Sequence, residues 1–142
     1  MLGPAESETA MASGTREVIT AGAPWPARYT FGPALRVDNM IFISGTTGTD
    51  EAGVITAPGD IVEQTRQIFR KFERLLQAAG GSCADIVSTV DYFTTTERYK
   101  ETSGVRREFL KGAQPTATGV RVAGLLREHA LIEISAVAVL RG

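Results

Sequence analysis

The stretch ALIEISAVAVL, residues 130–140, limits this chain more than any other feature. One alternate set, Ile132, Ile134, Ala136 and Ala138, is apolar, and so are Leu131, Val137 and Val139 of the other set. Successive strand residues point to opposite faces, so such a strand needs cover on both sides. A sheet built around it must hide two faces.

The rest of the sequence supplies only two helices for that task. Asp60 and Glu63 have the spacing of a capping box, directly after Pro58 and Gly59. From there Ile61, Thr65, Ile68, Phe72, Leu75, Leu76 and Ala79 follow a 3.6-residue period, and Gly80 with Gly81 stops the helix. Arg66, Arg70, Lys71 and Arg74 fall on the opposite side and read as a solvated face. A second, weaker helix is expected from a capping box at Thr94 and Glu97 to about Leu110. Strands are expected over residues 16–20, 31–37, 39–45, 85–93 and 115–125, ahead of the one at 130–140. A polar loop, TTGTDEAGVI, turns on Asp50 and Gly53. The order β-β-β-α-β-α-β-β predicts an α+β domain, one mixed sheet with both helices on one face. The other face then predicts self-association with closed symmetry.

Bulk properties narrow the function. The chain has 142 residues, enough for one domain, here expected over residues 15–142 after a flexible arm at residues 1–14. Fifteen basic and sixteen acidic residues give a net charge of -1, with no basic cluster to hold nucleic acid or an anionic membrane. Cys83 is the only cysteine, so no intramolecular disulfide forms and a reducing cytoplasm is the expected compartment. A single cysteine and a single histidine do not support a zinc site. No run reaches the length of a membrane helix, and the opening residues lack the pattern of a secretory signal.

Few residues stand out chemically. Glu133 is the one carboxylate in the last strand, between Ile132 and Ile134. A charge there is costly unless paired, and burial suits a carboxyl for general acid/base work. The alternative is a structural ion pair, with Arg121 of the preceding strand as partner. Asp91 reads as an edge or solvent-facing carboxylate, Tyr92 as packing or a cleft wall, and His129 as a surface-loop residue. Cys83 reads as inert. Ser44 lacks a nucleophile elbow, and the backbone of Ser44, Gly45 and Thr46 is the more interesting group, as a donor of N–H bonds to an anion.

Four segments in order, VDNMIFISGTTGTD, GDIVEQTRQIFRKFERLLQAAGGSCADIVSTVDYF, QPTATGVRVAGL and ALIEISAVAV, resemble the Rid family, also called YjgF or reactive intermediate deaminases. The likeness covers about residues 31–139. It implies a chorismate-mutase-like fold, a homotrimer around a central barrel, and small-molecule clefts between subunits. It also implies hydrolysis of enamines or imines, such as 2-aminoacrylate, to a carbonyl compound and ammonia, without a metal or organic cofactor. Residue by residue, Gly45 matches the family's cleft glycine and Glu133 its late-strand glutamate. Phe31 stands where a cleft tyrosine is usual. The P-x-R motif reads Pro115-Thr116-Ala117, so Ala117 replaces the arginine that clamps a substrate carboxylate. Arg121 shares its strand parity and is the candidate substitute. Thr46, Tyr92 and Thr118 complete the expected substrate contacts. Deamination is the default reaction. The alternatives are another acid/base reaction in the same cleft (isomerase, lyase, chorismatase-like hydrolase or a biosynthetic cyclisation) and a non-catalytic metabolite-binding protein. A ribonuclease is the reading that the charge supports least.

Overall fold

The computed structural model describes residues 14–141. The arm expected at residues 1–14 lies outside them except for Gly14. Six strands form one sheet: β1 (Arg16–Ile19), β2 (Ala34–Val37), β3 (Met40–Thr47), β4 (Ile86–Phe93), β5 (Thr116–Arg121) and β6 (Ile132–Val139). Their spatial order is β1-β2-β3-β6-β4-β5. Only β4 and β5 run parallel; every other neighbouring pair is antiparallel. The helices are α1 (Ile61–Ala78) and α2 (Thr102–Leu110). This is the mixed sheet with two helices that the sequence predicts.

Helix α1 forms where the capping residue and period place it. The Asp60 side chain accepts from the Val62 and Glu63 N–H groups, each at 3.1 Å. The Asp60 N–H donates to the Ala57 carbonyl instead of to Glu63. At the other end the Gly81 N–H reaches Leu76 O at 2.8 Å and the Gly80 N–H reaches Gln77 O at 3.0 Å, a Schellman closure with Gly80 at φ 89°. Its buried residues Ile61, Ile68, Phe69, Phe72, Leu75 and Leu76 lie over Ile41, Ile43, Ile132 and Ile134 of the central strands.

The second helix starts later than expected. Thr94 and Glu97 form no capping box; the Glu97 N–H bonds Thr95 Oγ1 at 3.0 Å within a turn. A short 3₁₀ turn at Tyr99–Glu101 precedes α2, which ends where Lys111 and Gly112 adopt positive φ.

Along β6, Ile132, Ile134, Ala136 and Ala138 are buried beneath the helices, whereas Glu133, Ser135, Val137 and Val139 are only half-buried. Register carries the open face across the sheet through Leu35, Phe42, Val137 and Ser88, and through Glu133, Tyr92 and Val120. Val18, Met40, Phe42, Tyr92 and Val120 are exposed there.

Candidate active site

Glu133 stands on the open face, not among the buried isoleucines beside it in sequence. The register sets it between Thr47 of β3 and Tyr92 of β4. The regular pairing of β3 with β6 is interrupted between Ile43 and Thr46; Thr46 lies opposite Ile134, and Ser44 and Gly45 fall in the gap. That irregularity brings the Gly45 backbone against the carboxylate. A Cβ added at Gly45 would stand 2.5 Å from Glu133 Oε2. Glycine is therefore the residue that lets the side chain of Glu133 lie where it does.

Ser44 ties this region to the loop before β2. Its hydroxyl donates to the Gly32 carbonyl at 2.7 Å and its N–H to the Pro33 carbonyl at 3.0 Å. The Ser44 N–H is thus engaged and does not serve as the free anion donor expected from sequence. Phe31 precedes Gly32 and is 54% exposed.

The remaining expected contacts lie on β5, at the sheet edge. Thr118 pairs with Val90 and shares the open face with Glu133. Ala117 pairs with Thr89 and Arg121 with Phe93, both buried on the helix side. Ala117 and Arg121 do share a face, but it is opposite to that of Glu133. Among the described residues no ion pair joins Arg121 to Glu133 within the chain.

Asp91 corrects its expected solvent-facing place. Its residue is 1% exposed. Its Oδ2 accepts from the Tyr99 hydroxyl and from Arg106 Nη2, the latter at 3.2 Å. Burial, reinforced by the bond to Asp91, pushes the Tyr99 pKa up to about 12. An apolar-looking strand hides this carboxylate because its partners come from later segments. A Cβ at Gly119, the residue beside it on β5, would meet Tyr99 Oη at 3.1 Å.

The supposed solvated face of α1 is only partly so. Arg66 pairs with Glu63 and Glu108, and Arg74 with Glu51. Lys71 Nζ donates to buried Thr49 Oγ1 at 2.9 Å. Burial, with the Arg127 charge adding to it, pulls the Lys71 pKa down to about 8. Cys83 is buried, and that burial, with Glu73 beside it, pushes the thiol pKa up, which agrees with an inert role. His129 is an exposed loop residue, as expected.

Sequence reasoning missed Gln64. It is fully buried on α1. Its amide donates to the Ala57 and His129 carbonyls at 3.0 and 3.2 Å, and its Oε1 accepts from the Leu131 N–H at 2.8 Å. It thus fixes the entry to β6 two residues before Glu133. A polar residue on the apolar stripe of α1 is the signal that could have found it. Among the described residues no cluster of three or more potential ligands could hold a metal ion, and no helix is long and apolar enough to cross a membrane.

Comparison with known proteins adds to this geometry. Residues 21–140 match the family described as Endoribonuclease L-PSP. The 3-aminoacrylate deaminase RutC of Acinetobacter baylyi is 30% identical over 123 residues, 87% of this chain and 97% of that protein. A Yersinia pestis protein of the conserved Rid family, of unknown function, superposes with a TM-score of 0.78 at 26% identity, over 89% of this chain and all of its own. RidA of an Antarctic Psychrobacter superposes with a TM-score of 0.75 at 27% identity, over 87% of this chain and 99% of its own.

Proposed function

This chain belongs to the Endoribonuclease L-PSP family, the Rid or YjgF proteins, and from that premise we propose that it hydrolyses the C=N bond of an enamine or imine with Glu133 as the acid/base group. One observation carries the reading. Glu133 is the only carboxylate that the six described strands present on the open face; Glu17 pairs with Arg36 and Asp91 with Ile134, both on the helix side. The deaminase name of RutC supports the same reaction class.

In this mechanism Glu133 takes a proton from water as its oxygen attacks the imine carbon, and the C=N π pair moves onto nitrogen. Glu133 then returns the proton to nitrogen. Glu133 next takes the carbinol O–H proton and passes it to the amine nitrogen as the C–N bond breaks, which releases ammonia and leaves the carbonyl. An enamine enters by tautomerising to the imine, its carbon gaining a proton as its nitrogen loses one. The balance is R₂C=NH + H₂O → R₂C=O + NH₃. Positioned proton transfer of this kind contributes about 10²–10⁴-fold.

Spacing supports a cleft shared between copies. Glu133 and Val120 are two strands apart, about 10 Å at the usual strand separation. Thr118 lies farther along the edge strand, and Ala117 lies on the other face. A small substrate cannot span these within one protomer, so edge strand β5 of a second copy is the natural complement to Glu133. The apolar open face favours the same homotrimeric assembly. With Ala117 in place of a charge clamp, 2-imino acids are poor substrates by about ten- to a hundredfold, the worth of one charge-assisted contact. The same residue favours a second reading, a different acid/base reaction on an uncharged substrate in this cleft.

The test is ammonia release from imines generated in situ. Glu133→Gln is expected to lose at least about 10² in rate while its melting temperature holds. Retained activity with a lowered melting temperature makes Glu133 a structural residue and ends this reading.

A further inference from the structure

Residues 24–31, PWPARYTF, gather three aromatic rings in one surface cluster. Trp25 meets Tyr29 and Phe31 edge-on, with centroids 5.1 and 5.5 Å away. Tyr29 and Phe31 stack at 5.3 Å with their planes 15° apart. Trp25 Nε1 donates to the Phe31 carbonyl at 2.7 Å, which closes the loop on itself. The Arg28 guanidinium lies 5.0 Å from the Tyr29 ring centroid. Tyr29 is thus flanked, and Phe31 keeps an open side.

Two hydrogen bonds fasten the segment that follows this cluster to the strand residue next to Gly45. Both run from Ser44, to the carbonyls of Gly32 and Pro33, and the next residue, Gly45, abuts the Glu133 carboxylate. A Cβ at Gly32 would stand 2.7 Å from Val18 Cγ1, so the loop also lies close on β1. The rings are therefore ordered before a ligand arrives, and stacking on them immobilises little.

We propose that the Trp25–Tyr29–Phe31 cluster is a stacking subsite for the aryl or conjugated side chain of an uncharged imine or enamine, with Phe31 as the platform and the C=N group directed to Glu133. The proposal rests on the reading of Glu133 as the acid/base group. It deepens that reading by naming the substrate class. The cluster contains no carboxylate, and its one cation already lies over Tyr29. The surface it offers a ligand is a π-face.

Trp25 is the only tryptophan of the chain, so emission excited selectively at tryptophan, beyond tyrosine absorption, reports on this cluster. Phenylacetone, a neutral aryl ketone, and pyruvate, a small charged one, serve as product-like probes. Phenylacetone is expected to change Trp25 emission saturably, with a Kd at least tenfold below that of pyruvate. Phe31→Ala should raise the phenylacetone Kd about tenfold and leave that of pyruvate unchanged. Phe31→Leu, which keeps an apolar side chain without a π-face, should fall between the two. Equal Kd values for the two ketones, or unaltered phenylacetone binding in Phe31→Ala, overturn the proposal. Binding is measured without turnover, which separates the two claims. If phenylacetone binds as described and no imine is hydrolysed, the subsite stands and the deaminase reading falls. If Glu133→Gln abolishes turnover while Trp25 ignores phenylacetone, the reverse holds.

Discussion

One methyl group at Gly45 probes Glu133 without changing its chemistry. A Cβ there would lie 2.5 Å from Glu133 Oε2, 3.3 Å from Cδ and 3.4 Å from Cγ. Relaxed contacts of this kind sit near 3.5 Å, so the oxygen must withdraw by roughly 1 Å. The atom that yields is the far end of a flexible side chain, and Gly45 is not among the residues with positive φ. Gly45→Ala should therefore fold normally and lose about 10²-fold in kcat, the scale expected of an ångström of misplacement, or about 2.7 kcal/mol. Ammonia release at saturating imine measures it, with the melting curve as control. The double variant Gly45→Ala/Glu133→Gln should be no slower than Glu133→Gln alone, because both changes disable one group. Gly45→Ala/Glu133→Asp should fall little below Glu133→Asp alone, since the shorter acid clears the methyl. Full activity in Gly45→Ala, or fully additive losses in the double variant with Gln, refutes the argument that Glu133 acts from this position.

Three further expectations concern Asp91, Lys71 and Phe42. Asp91→Ala strands Arg106 and the Tyr99 hydroxyl, and should cost about 3 kcal/mol by denaturant titration with kcat unchanged; an unaltered transition midpoint denies the cluster a structural role. Lys71→Met should raise the melting temperature at pH 7. The folded-state pKa of Lys71 is lowered to about 8, so the cost of its buried charge is complete below that pH and fades as pH rises toward the ordinary value of 10.5. The gain from Lys71→Met should accordingly shrink over that window, and a gain independent of pH refutes the assignment. Phe42 is 40% exposed on the open face, and Phe42→Asp should convert a trimer to monomers in light scattering; a wild-type monomer at micromolar concentration refutes assembly through this face.

What the sequence made legible was whatever is repeated along it. The period of α1, its Asp60 cap and its glycine stop all appear, because each is a local rule expressed within a few residues. The two-sided β6 also reads directly, and its alternation of burial follows the pattern of its residues. Asp91 did not read correctly, because its partners Tyr99 and Arg106 lie 8 and 15 residues further on and its face is set by pairing with β6. Lys71 failed similarly: the helix period places it outside, but the loop carrying Thr49 folds back over it. For the candidate site, Glu133 and Gly45 were legible as residues. Their contact was not, since it depends on a local break in strand register that no periodicity announces. The opposed faces of Ala117 and Glu133 likewise emerge only from the register across three strands.

The position of β6 has a consequence for biosynthesis. It is the last of the six strands to be translated, yet it occupies the middle of the sheet, with β3 on one side and β4 on the other. Until it emerges from the ribosome, β1–β3 with α1 and β4–β5 with α2 are separate pieces, each with an unpaired inner edge. Neither can be completed by local contacts, so closure awaits long-range pairing and comes late. In that interval two apolar edges are open to other nascent chains, and a chaperone that shields extended strands should raise the folded yield. The strand that joins the two halves also carries Glu133. A chain that stalls before β6 docks therefore lacks both the centre of its sheet and the placement of Glu133 against Gly45, so the candidate site and the fold are completed in the same step.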